Sequence, residues 1–116
     1  MPFRPADEVL PLTPLSFEIL LALLDGDRHG YAILQALEGR LSATLPMRTG
    51  TLYRALSRLL DEGLIEKAGT GDAEDERRVF YRITARGRKI ARAEAERLAD
   101  QVATARARRL LPGDRR

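Results

Sequence analysis

The stretch Thr49–Gly69, TGTLYRALSRLLDEGLIEKAG, decides how the chain folds. At about 100° per residue, Leu52, Leu56, Leu59 and Leu60 fall on one side of a helix, while Gly50, Thr51, Arg54, Ser57 and Arg58 cover most of the other. Thr49 is placed to cap the helix, and Gly63 stands where a left-handed residue ends one. The segment LIEKA then alternates like a strand, GTGDAEDE forms a polar turn, and RVFYRI supplies a second strand rich in β-branched and aromatic residues. The pattern predicts a short amphipathic helix followed at once by a hairpin with a long tip.

Upstream, Thr13-Pro14 is a helix-start signal and Asp25-Gly26 a stop, so a helix is expected over 14–24. Its apolar residues point all round the axis, so two surfaces must cover it. A second helix is expected over 30–41, with Tyr31, Ile33, Leu34 and Leu37 as a stripe, before SATLP ends it. Downstream, Thr84 caps a last helix of about 26 residues, roughly 39 Å long at 1.5 Å per residue. Ala91, Ala95, Leu98, Val102 and Ala105 recur along it at heptad spacing, and their small size permits a close helix pair. The seam is too short for an autonomous coiled coil. The surplus apolar face of the helix at 14–24, carrying Leu15, Ile19 and Leu23, is expected to join it in a two-fold dimer. Loop tips and both termini read as disordered.

Composition bounds the function. A chain of 116 residues with 44% apolar content suits one domain with a modest core. There is no cysteine, hence no disulfide framework or thiolate metal site, and a reducing cytoplasm is the expected compartment. MPFRPADEVLP lacks the features of a secretory signal, and the longest apolar run, LSFEILLALL, falls short of the roughly 20 residues that span a bilayer. Residues 83–116 carry ten Lys/Arg against four Asp/Glu although the whole chain nets only +3, so the remainder is acidic on balance. A basic tail suits phosphates, a membrane surface or an acidic partner alike.

Enzyme chemistry has little to build on. His29 is the only histidine, so no triad, Cys-His pair or multi-histidine zinc site can be assembled, and His29 is expected to shape the turn between two helices. GTGDAE lies inside a hairpin rather than between a strand and a helix, which removes it as a phosphate loop. The acidic tip Asp72, Glu74, Asp75 and Glu76 lacks the glycine and spacing of a calcium loop. The alanine-rich stripe of the last helix has no large residues to insert into a membrane. No cofactor, metal or catalytic residue is expected.

Three helices, a tight connection between the second and third, and a two-stranded hairpin make a winged helix-turn-helix, a mainly α fold with a small β-hairpin. The DNA major groove, about 12 Å wide, admits one helix whose exposed side is narrow and rich in donors. Gly50, Thr51, Arg54, Ser57 and Arg58 meet that demand. Arg54 and Arg58 lie one turn apart, and each fork suits guanine or a phosphate. Tyr53 is placed for its ring to pack inward and its hydroxyl to reach a phosphate. Lys67 and the pair Arg77 and Arg78 suit phosphate contacts from the wing, with the acidic tip pointing away.

The segments LTPLSFEILLALLDGDRHGYAIL, GTLYRALSRLLDEGLIE and ERRVFYRITARGRKI, in that order, closely resemble the PadR family of bacterial transcriptional regulators, in particular its short-tailed members. The likeness spans residues 12–111 and rests on HGY, GTLYRAL and RRxxYRIT together. It implies a dimeric winged-helix repressor on an inverted-repeat operator, released in some members by a small aromatic or cationic ligand. By position, it implies DNA-facing roles for Tyr31, Gly50, Thr51, Tyr53, Arg54 and Arg58 with the wing pair Arg77 and Arg78, and a dimer helix over 85–110. Members that clasp flat drugs use interface tryptophans, and this chain has none.

The expected organisation is therefore an N-terminal arm (1–12), a winged helix-turn-helix domain (13–84), a C-terminal dimerisation helix (85–111) and a disordered tail (112–116). The expected partners are double-stranded DNA, through Tyr31, Thr49, Gly50, Thr51, Tyr53, Arg54, Ser57, Arg58, Lys67, Arg77 and Arg78, and a second copy of the chain. A small-molecule effector has no identity in the sequence. The alternative is a winged-helix module for a protein partner, favoured by residues 47–67 holding four basic against three acidic residues.

Overall fold

A computed structural model of the chain describes residues 3–41, 48–70 and 79–113. Among the described residues, the elements follow in the order α1 (Ala6–Val9), α2 (Pro14–Leu23), β1 (Arg28–His29), α3 (Gly30–Leu41), α4 (Thr49–Asp61), β2 (Ile65–Thr70), β3 (Val79–Ile83) and α5 (Ala85–Ala107). The expected helices and hairpin stand close to their predicted bounds, and α5 runs 23 residues rather than about 26.

Local chemistry explains most boundaries. The Thr13 hydroxyl accepts from the Ser16 amide at 3.1 Å with Pro14 in the first turn of α2. Thr84 does the same for α5, accepting from Gly87 at 2.9 Å. α4 stops at Gly63, whose φ of +73° lets the Gly63 amide reach the Leu60 carbonyl and the Leu64 amide reach the Leu59 carbonyl, both at 3.0 Å. α5 ends on the same double hook, with Arg109 (φ 58°) in the position a glycine usually holds. One boundary differs from expectation. Arg48 stands at the capping position of α4 and Thr49 is the first helical residue; Arg48 makes no side-chain cap.

The hairpin belongs to a three-stranded antiparallel sheet in the order β1-β3-β2. β3 is central, pairing Ile65 with Ile83 on one side and Arg28 with Tyr81 on the other, with an irregularity between Lys67 and Gly69. The two-residue β1 is too short for any alternation to announce it. Helices α2, α3, α4 and the first turns of α5 bury one core against the sheet, with Ile19, Leu20, Leu23, Ile33, Leu37, Leu52, Leu56, Leu59, Leu64 and Ile65 almost wholly enclosed. Gly87 shows how tightly α5 is seated: a β-carbon there would lie 2.0 Å from the Leu64 carbonyl oxygen.

The amino-terminal arm, read from sequence as disordered, is a placed strap from residue 3 onward. Val9 of α1 enters the core, and the Phe3 ring lies over Gly63, where a β-carbon would approach it to 2.5 Å. The tail residues 114–116 lie outside the described residues.

The apolar face assigned to dimerisation also needs correcting. Ile19 and Leu23 are enclosed within the subunit's own core, as is Ala91, so none of the three presents surface to a partner. Leu15 and Phe17 remain half-buried and Leu24 is exposed. An all-round apolar helix does not disclose which of its sides the subunit itself covers.

Candidate nucleic-acid interface

α4 is the most sharply two-sided element of the molecule. Leu52, Leu56 and Leu59 are 0 to 2% exposed, whereas Gly50, Arg54, Ser57, Arg58 and Asp61 are solvent-facing. Three leucines at helical spacing anchor the rod, each burial contributing about 2 kcal/mol. The opposite side needs nothing from the fold. Its residues are small at the amino-terminal end: Gly50, where an added β-carbon would meet only the Arg54 guanidinium at 3.4 Å, then Thr51. Arg54 folds back along this edge, with its Nη2 3.4 Å from the Thr51 hydroxyl.

Two depressions border the stripe. One, of about 330 Å³, lies between α4 and the wing and is lined by Gly50, Tyr53, Arg54, Ser57 and Lys67 among others. The other, near 90 Å³, lies between α4 and the strap and is lined by Arg58, Glu62, Arg4 and Thr13 among others. The two arginines, one turn apart on the same side of α4, each line a different depression, Arg54 the one by the wing and Arg58 the one by the strap. Tyr31 at the start of α3 is half-exposed, and Thr49 and Lys67 are exposed.

One expected contact resolves differently. The Tyr53 hydroxyl is buried, not turned outward, and it sits where a β-carbon on Gly30 would fall, 2.4 Å away. The glycine of HGY is thus the space that lets α3 and α4 approach, and Tyr53 joins the helices instead of reaching a phosphate. Arg77 and Arg78 lie outside the described residues, as does the acidic tip.

The sequence reading missed Asp61, on the same stripe as Ser57 and Arg54 and exposed at the carboxyl end of α4. A carboxylate there repels phosphate, so the amino-terminal half of the helix is the part suited to a groove. Helical spacing alone, four residues beyond Ser57, was the available signal.

Several arginines are tied into ion pairs. Arg82 binds Asp27 at 3.0 Å and approaches Glu66 at 3.8 Å; Arg40 binds Glu18 at 2.8 Å; Arg97 binds Glu94 at 2.7 Å; Arg4 binds Glu62. All four guanidiniums are held above their ordinary pKa, first by the hydrogen bond to the carboxylate. Among the described residues, Arg48, Arg54, Arg58 and Lys67 form no ion pair. Arg88, Lys89, Arg92, Arg106 and Arg108 of α5 and its last turn likewise form no ion pair among the described residues, so what sets the α4 cations apart is their place on one exposed helix side and the wing beside it. His29 serves structure, accepting from the Ala32 amide at 3.1 Å and meeting the Phe80 ring edge-on at 5.5 Å. Among the described residues no group of His, Asp and Glu could hold a metal ion, and no helix is long and apolar enough to cross a membrane.

A small α4 with a free donor stripe, a wing beside it and a long helix leaving the body define a winged-helix protein. The family model for the transcriptional regulator PadR-like family matches residues 19–93, and the chain belongs to that family, one of regulators rather than enzymes. An uncharacterised protein of Lysinibacillus sphaericus is 38% identical over 71 residues, covering 60% of this chain and 64% of that protein. The chain thus matches less than two thirds of that relative's length. A transcriptional regulator from Clostridium thermocellum is 30% identical, with a TM-score of 0.63 over 78% of this chain and 86% of that one. Bacillus subtilis PadR, solved in complex with operator DNA, is 25% identical, with a TM-score of 0.60 over 70% of this chain and 46% of that one.

Proposed function

We propose that the chain is a sequence-specific DNA-binding regulator that acts as a homodimeric repressor, with the amino-terminal half of α4 entering the major groove and Lys67 of the wing reaching the flanking phosphates. The observation that carries the reading is the outward stripe Gly50, Thr51, Arg54, Ser57 and Arg58, whose two arginines form no ion pair among the described residues, on a helix whose Leu52, Leu56 and Leu59 are spent on the core. Membership of a regulator family and likeness to a PadR solved on its operator support it.

The distal half of α5 supports the dimer. Beyond Glu94 the helix carries Ala95 and Val102 exposed and Leu98 and Ala105 partly so, and Leu110, just past its end, is 70% exposed, apolar surface that the subunit leaves uncovered. Paired through it, two subunits would present two α4 helices to successive major grooves of an inverted repeat, about 34 Å apart. The same reading places the protein in the cytoplasm. An effector acting at the dimer seam would release DNA by changing that separation, without the tryptophan clamp that flat ligands use.

Fluorescence anisotropy with a labelled duplex from the region upstream of its own gene tests the proposal. Two subunits neutralising about six phosphates give a slope of log affinity against log salt near −5. Absent or salt-insensitive binding would instead favour a module for a protein partner.

A further inference from the structure

The strap meets the body where the groove helix ends and the long helix begins. Arg86, in the first turn of α5, donates from Nε to the Glu62 carbonyl at 3.0 Å and from Nη2 to the Arg4 carbonyl. Its guanidinium lies 5.2 Å from the centroid of the Phe3 ring, which in turn covers Gly63. The Arg4 side chain closes the circle on the Glu62 carboxylate. Beside it the Thr84 hydroxyl donates to the Gly63 carbonyl at 2.7 Å. The carbonyls of Glu62 and Gly63, just past the end of α4, are thus taken by side chains at the start of α5, and the strap holds one of those side chains in place. A cation here also complements the negative end of the α4 dipole.

Little of this clasp serves the core. Phe3 is 49% exposed, and Arg4 lies on the surface. Beside the core packing at Gly87 and Ile90, the clasp adds a second set of contacts that bear on the angle at which α4 leaves the junction relative to α5. In a two-fold dimer built on α5, an error in that angle occurs in both subunits, so its effect on the distance between the two groove helices is doubled.

We propose that Arg86, braced by Phe3 and Arg4, is a positioning residue that fixes the α4–α5 angle and so sets which half-site spacing the dimer accepts; this rests on the groove and dimer readings above. Arg86 touches no nucleotide in this scheme. Its contribution is pre-organisation, which narrows the set of operators rather than strengthening each half-site.

The test uses the full chain and an operator recovered with it from a random duplex pool, remade with the half-site spacing lengthened or shortened by one and two base pairs. Each added pair shifts a half-site by about 3.4 Å and rotates it by about 35°. The wild type is expected to lose roughly tenfold in affinity per added or removed pair, as a pre-organised dimer should. Arg86→Lys keeps the charge but not the fork, and Phe3→Ala removes the brace. Both are expected to flatten the spacing dependence to within about threefold, with single half-site affinity, dimer mass and melting temperature close to wild type. Variants that retain the wild-type spacing preference overturn the proposal. So does an equal loss on every duplex, single half-sites included, because that marks a merely structural role. A wild type that recovers no DNA removes the groove reading itself, a result distinct from either.

Discussion

α4 and the distal half of α5 are both helices with an apolar side, and they differ in what has become of it. In α4 the leucines at 52, 56 and 59 are enclosed and the polar side is free. In α5 beyond Glu94 the apolar residues lie outside or only partly covered, with Val102 at 48% exposure and Leu110, just past the helix end, at 70%. The first helix is completed by its own subunit and offers chemistry; the second is incomplete and offers surface. Glu94 marks the boundary, enclosed at 2% exposure and held by Arg97 through two bonds of 2.7 and 2.9 Å. A buried carboxylate is tolerated only when paired, so this ion pair keeps the helix seated as it leaves the body.

Substitutions can break the contrast one side at a time. The largest effect belongs to the completed side. Leu56→Ala is expected to cost about 2–5 kcal/mol, seen as a lowered melting temperature with DNA binding lost only through unfolding. Gly87→Ala, which drives a methyl group into the Leu64 carbonyl, is expected to cost about 3 kcal/mol in the same measurement. Next comes the free side of α4. Arg54→Ala and Arg58→Ala should each weaken operator binding by about tenfold, near 1.4 kcal/mol, while the melting temperature moves by under a degree or two. A fold loss without a DNA loss, or the reverse for Leu56, would erase the distinction.

The incomplete helix gives a different signature. Val102→Asp is expected to shift sedimentation from dimer toward monomer, and to weaken operator binding through that shift, with the subunit fold intact. The smallest effect is at the last turn of α5. Arg109→Gly relieves a left-handed residue at the helix end and should slow amide exchange there, a gain of up to about 1 kcal/mol.

Much of this was legible in the letters. α4 announced itself because three to four leucines at helical spacing admit one arrangement, and Thr13, Gly63 and Thr84 punctuate elements through local hydrogen bonds that a short window contains. The misreadings share a cause: each depends on a contact distant in sequence. β1 is two residues that become a strand only by lying beside β3. The strap is ordered by one ring on Gly63 and one arginine from α5, 82 residues from its Arg4 partner. Tyr53 is aimed by a missing side chain at Gly30. Ile19 and Leu23 sit on a helix apolar all round, where the pattern shows that two surfaces exist but not which one the subunit fills. On α4, Arg54 and Arg58 are exposed as expected, yet only the packed wing and strap show that each borders a different depression.

The central claim is that the free side of α4 reads DNA, in duplicate. Selection of bound sequences from a random duplex pool by the wild-type chain tests it most directly. The account predicts an inverted repeat with half-site centres about 10 base pairs, or one helical turn, apart. A folded, dimeric protein that enriches no sequence, or enriches a single unrepeated site, would contradict it.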